Sequence, residues 1–111
     1  MKKIVMTISQ RNKLAKEFFV KKCIGILDKK GRNYNPNGEA FAGFVNDGKE
    51  LDISPEKVIW LMKRKHDNAV LSYIKGEPSS ESIHERLADI ANYAALLSVY
   101  YQTKEGKTKR R

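Results

Sequence analysis

The sequence predicts an all-α fold, a small bundle of three main helices plus one short helix, with a short β segment or extended arm at the N-terminus. Three observations carry this. Apolar residues recur at helical spacing through most of the chain, helix start and stop signals bracket each run, and strand-like patterning is absent outside Lys3 to Ile8. The 111 residues give room for one domain with one modest core, its body over about 9–102 and a basic tail over 103–111.

The first helix is predicted from Ser9, which can cap it, to Lys30. Ala15, Phe19, Cys23 and Ile26 form one apolar row, widened by Val20, Ile24 and Leu27. Gly31 after the Lys29-Lys30 pair has the chemistry of a helix C-terminus. The stretch from Gly31 to Gly38 is rich in Gly, Asn and Pro and reads as a loop. Glu39 to Val45 reads as a short helix carrying Phe41 and Phe44, closed by an Asn46-Asp47-Gly48 turn. The third element has the clearest start: Ser54 as N-cap, Pro55 in the first helical position and Glu56 against the helix dipole. It runs to about Tyr73 or Ile74, and Gly76-Glu77-Pro78 ends it. The last helix begins near Ser80, with Ser82 and Glu85 spaced as a capping box, and continues to about Gln102. From Leu87 to Tyr101 only Asp89, Asn92 and Ser98 interrupt its apolar character, which places it centrally in a core or at an oligomer interface.

With 41% apolar and 32% charged residues the chain has the composition of a globular protein. Cys23 is its single cysteine and, in an apolar helical stretch without an activating His beside it, reads as a small buried hydrophobe. A reducing, cytoplasmic setting fits. The short apolar run after Lys2-Lys3 is too brief for a signal peptide, and no segment approaches the roughly 20 apolar residues of a membrane span. The formal net charge is +9, and Lys104, Lys107, Lys109, Arg110 and Arg111 against Glu105 place part of that excess in the tail. Such a surface favours anionic partners: a nucleotide, nucleic acid bound through the tail, or an acidic protein. A solvated, frayed end accounts for the tail equally well. The limited core of a chain this short also makes a homo-oligomer the natural expectation.

Asp89 is the most informative residue, because a carboxylate inside a nearly all-apolar helix must be met by a cation or by hydrogen-bond donors. Asn92 and Tyr93 share its face at i+3 and i+4. On the third helix Val58, Met62, Lys65, Ala69 and Tyr73 form a row, with Asn68 three residues beyond Lys65. This row predicts that Lys65 faces Asp89. The pair is then either an ion pair that fixes helix register or part of a polar pocket for a phosphate, ribose or base. His66 and His84 read as surface histidines and Trp60 as a core residue. Neither a phosphate-binding glycine loop nor a nucleophile elbow is present. Glu81, Glu85 and Asp89 stack at i, i+4 and i+8, a partial set for Mg²⁺. The facing helix supplies Lys63, Arg64 and Lys65 where further carboxylates would be needed. That shortage favours binding an anion over cleaving it.

Four segments taken in order carry a resemblance: Lys30 to Asn35, Ala40 to Phe44, Met62 to Asn68, and Glu81 to Ala94 (ESIHERLADIANYA). Together they resemble the small phage and prophage family called nucleotide modification associated domain, over roughly residues 15–101. The matching positions are Tyr34, Lys65, Glu81, Asp89, Asn92 and Tyr93; the chain departs from the pattern at Asn35, where Gly is expected, and at Asn68, where Arg is expected. The resemblance implies a phage setting in the host cytoplasm and a link to nucleotides. A fainter likeness is to all-α nucleoside triphosphate pyrophosphatases of MazG type, but Arg86 stands where their motif has Glu and the upstream Glu-x-x-Glu is missing.

Three functions follow as expectations. The first is a non-catalytic binding protein that holds a nucleotide or nucleotide-derived ligand through Tyr34, Lys65, Asn68, Asp89, Asn92 and Tyr93, sequestering a host defence signal or assisting nucleotide modification, without cofactor or metal. The second is a metal-dependent pyrophosphohydrolase using Glu81, Glu85 and Asp89 with Mg²⁺. The third is an inhibitor of nucleic acid or protein partners acting through its basic surface.

Overall fold

The computed structural model describes the backbone of residues 4–34 and 39–108, with side chains described for 4–31 and 39–103. The chain is all-α, and among the described residues there is no strand. Helix α1 (Ile8–Glu17) runs through a π-helical segment (Phe18–Cys23) directly into α2 (Ile24–Tyr34). Helices α3 (Ala42–Leu51), α4 (Pro55–Ile74) and α5 (Ile83–Thr108) follow. None of the described helices is long and apolar enough to cross a membrane.

The start of α1 is set by Thr7, not Ser9. The Gln10 amide donates to Thr7 Oγ1 at 3.1 Å and the Thr7 amide donates to Gln10 Oε1 at 3.0 Å, a reciprocal cap that satisfies two amides at once. Residues 4–7 are an exposed extended arm. The helix passes through Gly31 instead of ending there, since α2 continues to Tyr34. The tail expected from residue 103 begins as a continuation of α5, whose backbone is helical to Thr108.

The short helix also differs from its expected Glu39–Val45 bounds, because α3 runs straight through Asn46-Asp47-Gly48. A Cβ at Gly48 would stand 2.6 Å from the Ile53 carbonyl oxygen, so the glycine serves close backbone approach, not a turn. The turn comes later, at Asp52, whose φ of 57° is left-handed, and the Ile53 amide donates back to the Gly48 carbonyl at 2.9 Å. Helix α4 begins at Ser54-Pro55 as its sequence demands, although the Ser54 side chain makes no capping bond. It ends where Gly76 takes φ 96° and the Glu77 amide reaches the Ser72 carbonyl at 3.1 Å. At the start of α5, Ser82 Oγ accepts from the His84 amide at 3.2 Å, and no Ser82–Glu85 box forms.

Helices α4 and α5 form the central pair, with α3 against α4, and the π segment and α2 against α5. Among the described residues the buried apolar ones are few: Cys23, Val58, Ile59, Ala88 and Tyr93. His66, Asp89 and Asn92 are buried among them, so the middle of the bundle is polar. Two expectations reverse here. Trp60 is 49% exposed instead of in the core, and His66 is 4% exposed instead of on the surface. Cys23 is buried as expected, and burial raises its thiol pKa above the ordinary value.

Candidate functional site

Helix α5 delivers Asp89, Asn92 and Tyr93 to the interior on one face, as the i, i+3, i+4 spacing requires. Asp89 is 3% exposed. Its Oδ1 accepts from Lys30 Nζ of α2 at 2.7 Å, and its Oδ2 lies 3.7 Å from His66 Nδ1 of α4. The carboxylate is therefore answered by an ammonium, but from Lys30. Lys65 is exposed, and so is Asn68. The inward side of α4 carries Val58, Ile59, Met62 and His66, so the row holds at Val58 and Met62 and then passes through His66, one residue beyond Lys65. One residue is about 100° of helix rotation, enough to turn Lys65 outward.

Arg86 Nη1 lies 3.2 Å from His66 Nδ1, and Arg86 Nε lies 3.0 Å from Glu81 Oε2. An arginine only donates, so His66 Nδ1 accepts and the ring is neutral with its proton on Nε2. This agrees with the direction of its pKa, which burial lowers, with Arg86 and Lys30 adding to the effect and Asp89 and Glu81 opposing it. The ring stacks on Tyr93 at 5.7 Å and 25°, and Tyr93 meets Phe44 of α3 edge-on at 6.4 Å. Asn92 Nδ2 donates to the Cys23 carbonyl at 2.8 Å. That bond ties α5 to the π segment, a widened turn of the kind that recurs at functional sites.

Beside this cluster is a cavity of about 370 Å³ between all four packed helices. Ile26, Leu27, Phe44, Met62 and Leu96 supply apolar wall, while Lys30, Asp89, Asn92 and Tyr93 supply one polar end and Asp47 a further carboxylate. Of the residues expected to bind ligand, the structure thus brings Asp89, Asn92 and Tyr93 together and leaves Lys65 and Asn68 outside. The side chain of Tyr34 lies outside the described residues. Sequence reasoning missed Lys30, His66, Arg86 and Phe44 as site residues. For Lys30 the available signal, a basic residue one turn before the end of an amphipathic helix, was the same one that reads as helix termination.

The acidic set also rearranges. Glu85 sits 3.9 Å from Lys22, away from the cluster, and Glu81 precedes α5 at the rim with Arg86. His66, Glu81 and Asp89 instead present donor atoms within 4.8 Å of one another, a spacing that could hold a divalent ion. Lys30 and Arg86 already balance the two carboxylates, however, and Arg86 lies against His66 Nδ1 and Glu81 Oε2. A metal there would compete with a guanidinium. No family model, curated protein or solved structure matches the chain.

Proposed function

We propose that the chain is a non-catalytic binding protein for a nucleotide or nucleotide-derived ligand, held in the cavity between α2, α3, α4 and α5. One observation carries this reading: a cavity of about 370 Å³, within the size range of small-molecule sites, has apolar and aromatic walls that converge on the Lys30–Asp89 pair. Each part matches a part of such a ligand. The Lys30 ammonium attracts a phosphate, the Asp89 carboxylate accepts from base N–H or ribose hydroxyl groups, and Phe44 and Tyr93 offer ring faces and edges to a base. In a phage setting the protein would sequester a nucleotide signal of its host or assist base modification.

The test is a thermal-shift screen of nucleoside mono- and triphosphates and cyclic dinucleotides, with mass spectrometry of whatever co-purifies. A ligand at one hundred times its Kd adds about 2.7 kcal/mol, roughly 10 °C for a domain of this size. The expected result is such a rise with one nucleotide class, lost in Asp89→Asn. A flat response across the screen contradicts the proposal.

A second reading is metal-dependent pyrophosphate release, for which His66, Glu81 and Asp89 present donor atoms within 4.8 Å of one another. Turnover that needs Mg²⁺ and disappears in Asp89→Asn would select it. Salt-sensitive retention on DNA that vanishes when residues 103–111 are removed would instead select nucleic-acid binding through the tail.

A further inference from the structure

The polar end of the cavity is rich in acceptors and poor in donors. Asp89 Oδ1 accepts from Lys30 Nζ at 2.7 Å, whereas the nearest partner of Oδ2 is His66 Nδ1 at 3.7 Å. That nitrogen accepts from Arg86 and has no proton to give, so Oδ2 keeps its capacity to accept. Asp89 lines the cavity, while His66 and Arg86 do not. Asn92 repeats the pattern one turn along α5. Its Nδ2 is spent on the Cys23 carbonyl at 2.8 Å, and Cys23 lies outside the cavity lining to which Asn92 belongs. This bond fixes which way round the amide sits and leaves Oδ1 as an acceptor without a donor from the described residues. Asp89 is 3% exposed and Asn92 8%, so acceptors left unmet there cost free energy that donors on a ligand recover. Asp47 adds a second carboxylate to the lining, against the single ammonium of Lys30, in a chain whose net charge is +9.

Two neighbouring acceptors discriminate among bases. Adenine and cytosine each set a ring nitrogen lone pair beside their amino group, which would face a carboxylate with repulsion. Uracil has a single N–H between two carbonyls. Guanine alone carries two donors side by side, N1–H and the N2 amino group.

We infer that the cavity is selective for guanine, which donates N1–H to Asp89 Oδ2 and its N2 amino group to Asn92 Oδ1. This rests on the nucleotide-binding reading above and narrows the ligand to a guanine nucleotide or nucleoside. Asp89 and Asn92 stand on adjoining turns of one helix, so the backbone of α5 sets the spacing of the two acceptors. Phe44 and Tyr93 supply ring surface for the base. Lys30 Nζ, with one proton on Oδ1, keeps two for a phosphate.

Isothermal titration of the full chain with guanosine, inosine, adenosine, cytidine and uridine 5′-monophosphates tests this. Inosine keeps N1–H and lacks the amino group, so it isolates the contact to Asn92. Guanosine monophosphate should bind tightest, with inosine about tenfold weaker and uridine no tighter than inosine. Adenosine and cytidine should be roughly a hundredfold weaker, since a site built to receive N–H groups rejects a base that lacks them. Asp89→Asn presents a donor beside an acceptor, the pair that complements adenine, and should lose the preference for guanosine over adenosine. Adenosine or a pyrimidine binding as tightly as guanosine, or inosine binding equally well, overturns the guanine assignment and leaves the nucleotide reading standing. Asp89→Asn that keeps the guanosine preference overturns it too. Silence from all five overturns the assignment, and the nucleotide reading falls with it only where the wider thermal screen is flat as well. The wild-type series decides the matter even if the variant fails to fold.

Discussion

At Asp89 the carboxylate side chain is 3% exposed, while the Lys30 that answers it keeps 37% of its side chain in contact with solvent. The two are therefore unequal as targets of substitution. Lys30→Met leaves a buried carboxylate without its cation and should cost roughly 3–5 kcal/mol, the range for breaking a buried pair from the wrong side. Asp89→Asn leaves an ammonium that can turn into water, and should cost less, about 1–2 kcal/mol. Urea midpoints of the two variants check the order, and a larger loss in Asp89→Asn contradicts it. His66 adds a pH dependence. Its folded pKa is lowered, so below the unfolded value of about 6.5 the unfolded chain takes up a proton that the folded chain still refuses. Stability should fall as pH drops from neutrality through that value and level off beneath the folded pKa. His66→Gln, which keeps an acceptor for Arg86, should flatten this part of the profile in thermal melts at graded pH. Cys23, buried and with a raised pKa, should react with thiol reagents only on unfolding.

The elements explain how much of this was legible in the sequence. The start of α4 was, since Ser54, Pro55 and Glu56 are local signals that no tertiary contact overrides. So was the burial of Asp89, Asn92 and Tyr93, because a carboxylate in an apolar helix has one physical remedy. The partner was not, because the row through Met62 and Lys65 and the inward line through Met62 and His66 differ by one step of α4. Tyr73, the far end of that row, is 46% exposed. The π segment left no sequence mark. Its wider turn shifts the phase of everything before it, so that Cys23 is buried while Ala15 and Phe19, assigned to the same row, are exposed. Glycine shows the same limit at α3, where Gly48 resembles a turn residue but serves packing. Gly48→Ala should cost about 1–3 kcal/mol through its clash with the Ile53 carbonyl. Gly25→Ala, inside α2 with open space around its would-be Cβ, should stabilise by about 0.5–1 kcal/mol. Chemical denaturation of both variants measures the difference, and equal effects would contradict the packing role of Gly48.

On the scale of the molecule, a thin apolar core surrounds a polar centre. Among the described residues only Ile59 of the larger side chains is fully buried, and the middle of the bundle is given to His66, Asp89 and Asn92 beside a cavity. A bundle built for stability alone would fill that space with hydrocarbon. Keeping charge and volume there costs free energy; under the proposed binding function a bound ligand would return it, and the protein should gain most of its rigidity when occupied. The proposed function places the nucleotide against Asp89 and not against Lys65. Equilibrium titration of a fluorescent nucleotide of the class selected by the thermal screen, against the wild type, Lys65→Ala and Asp89→Asn, tests this most directly. The cavity reading predicts the same Kd for wild type and Lys65→Ala and a loss of at least tenfold in Asp89→Asn. Binding that survives Asp89→Asn but is lost in Lys65→Ala would contradict it and move the site to the outer face of α4.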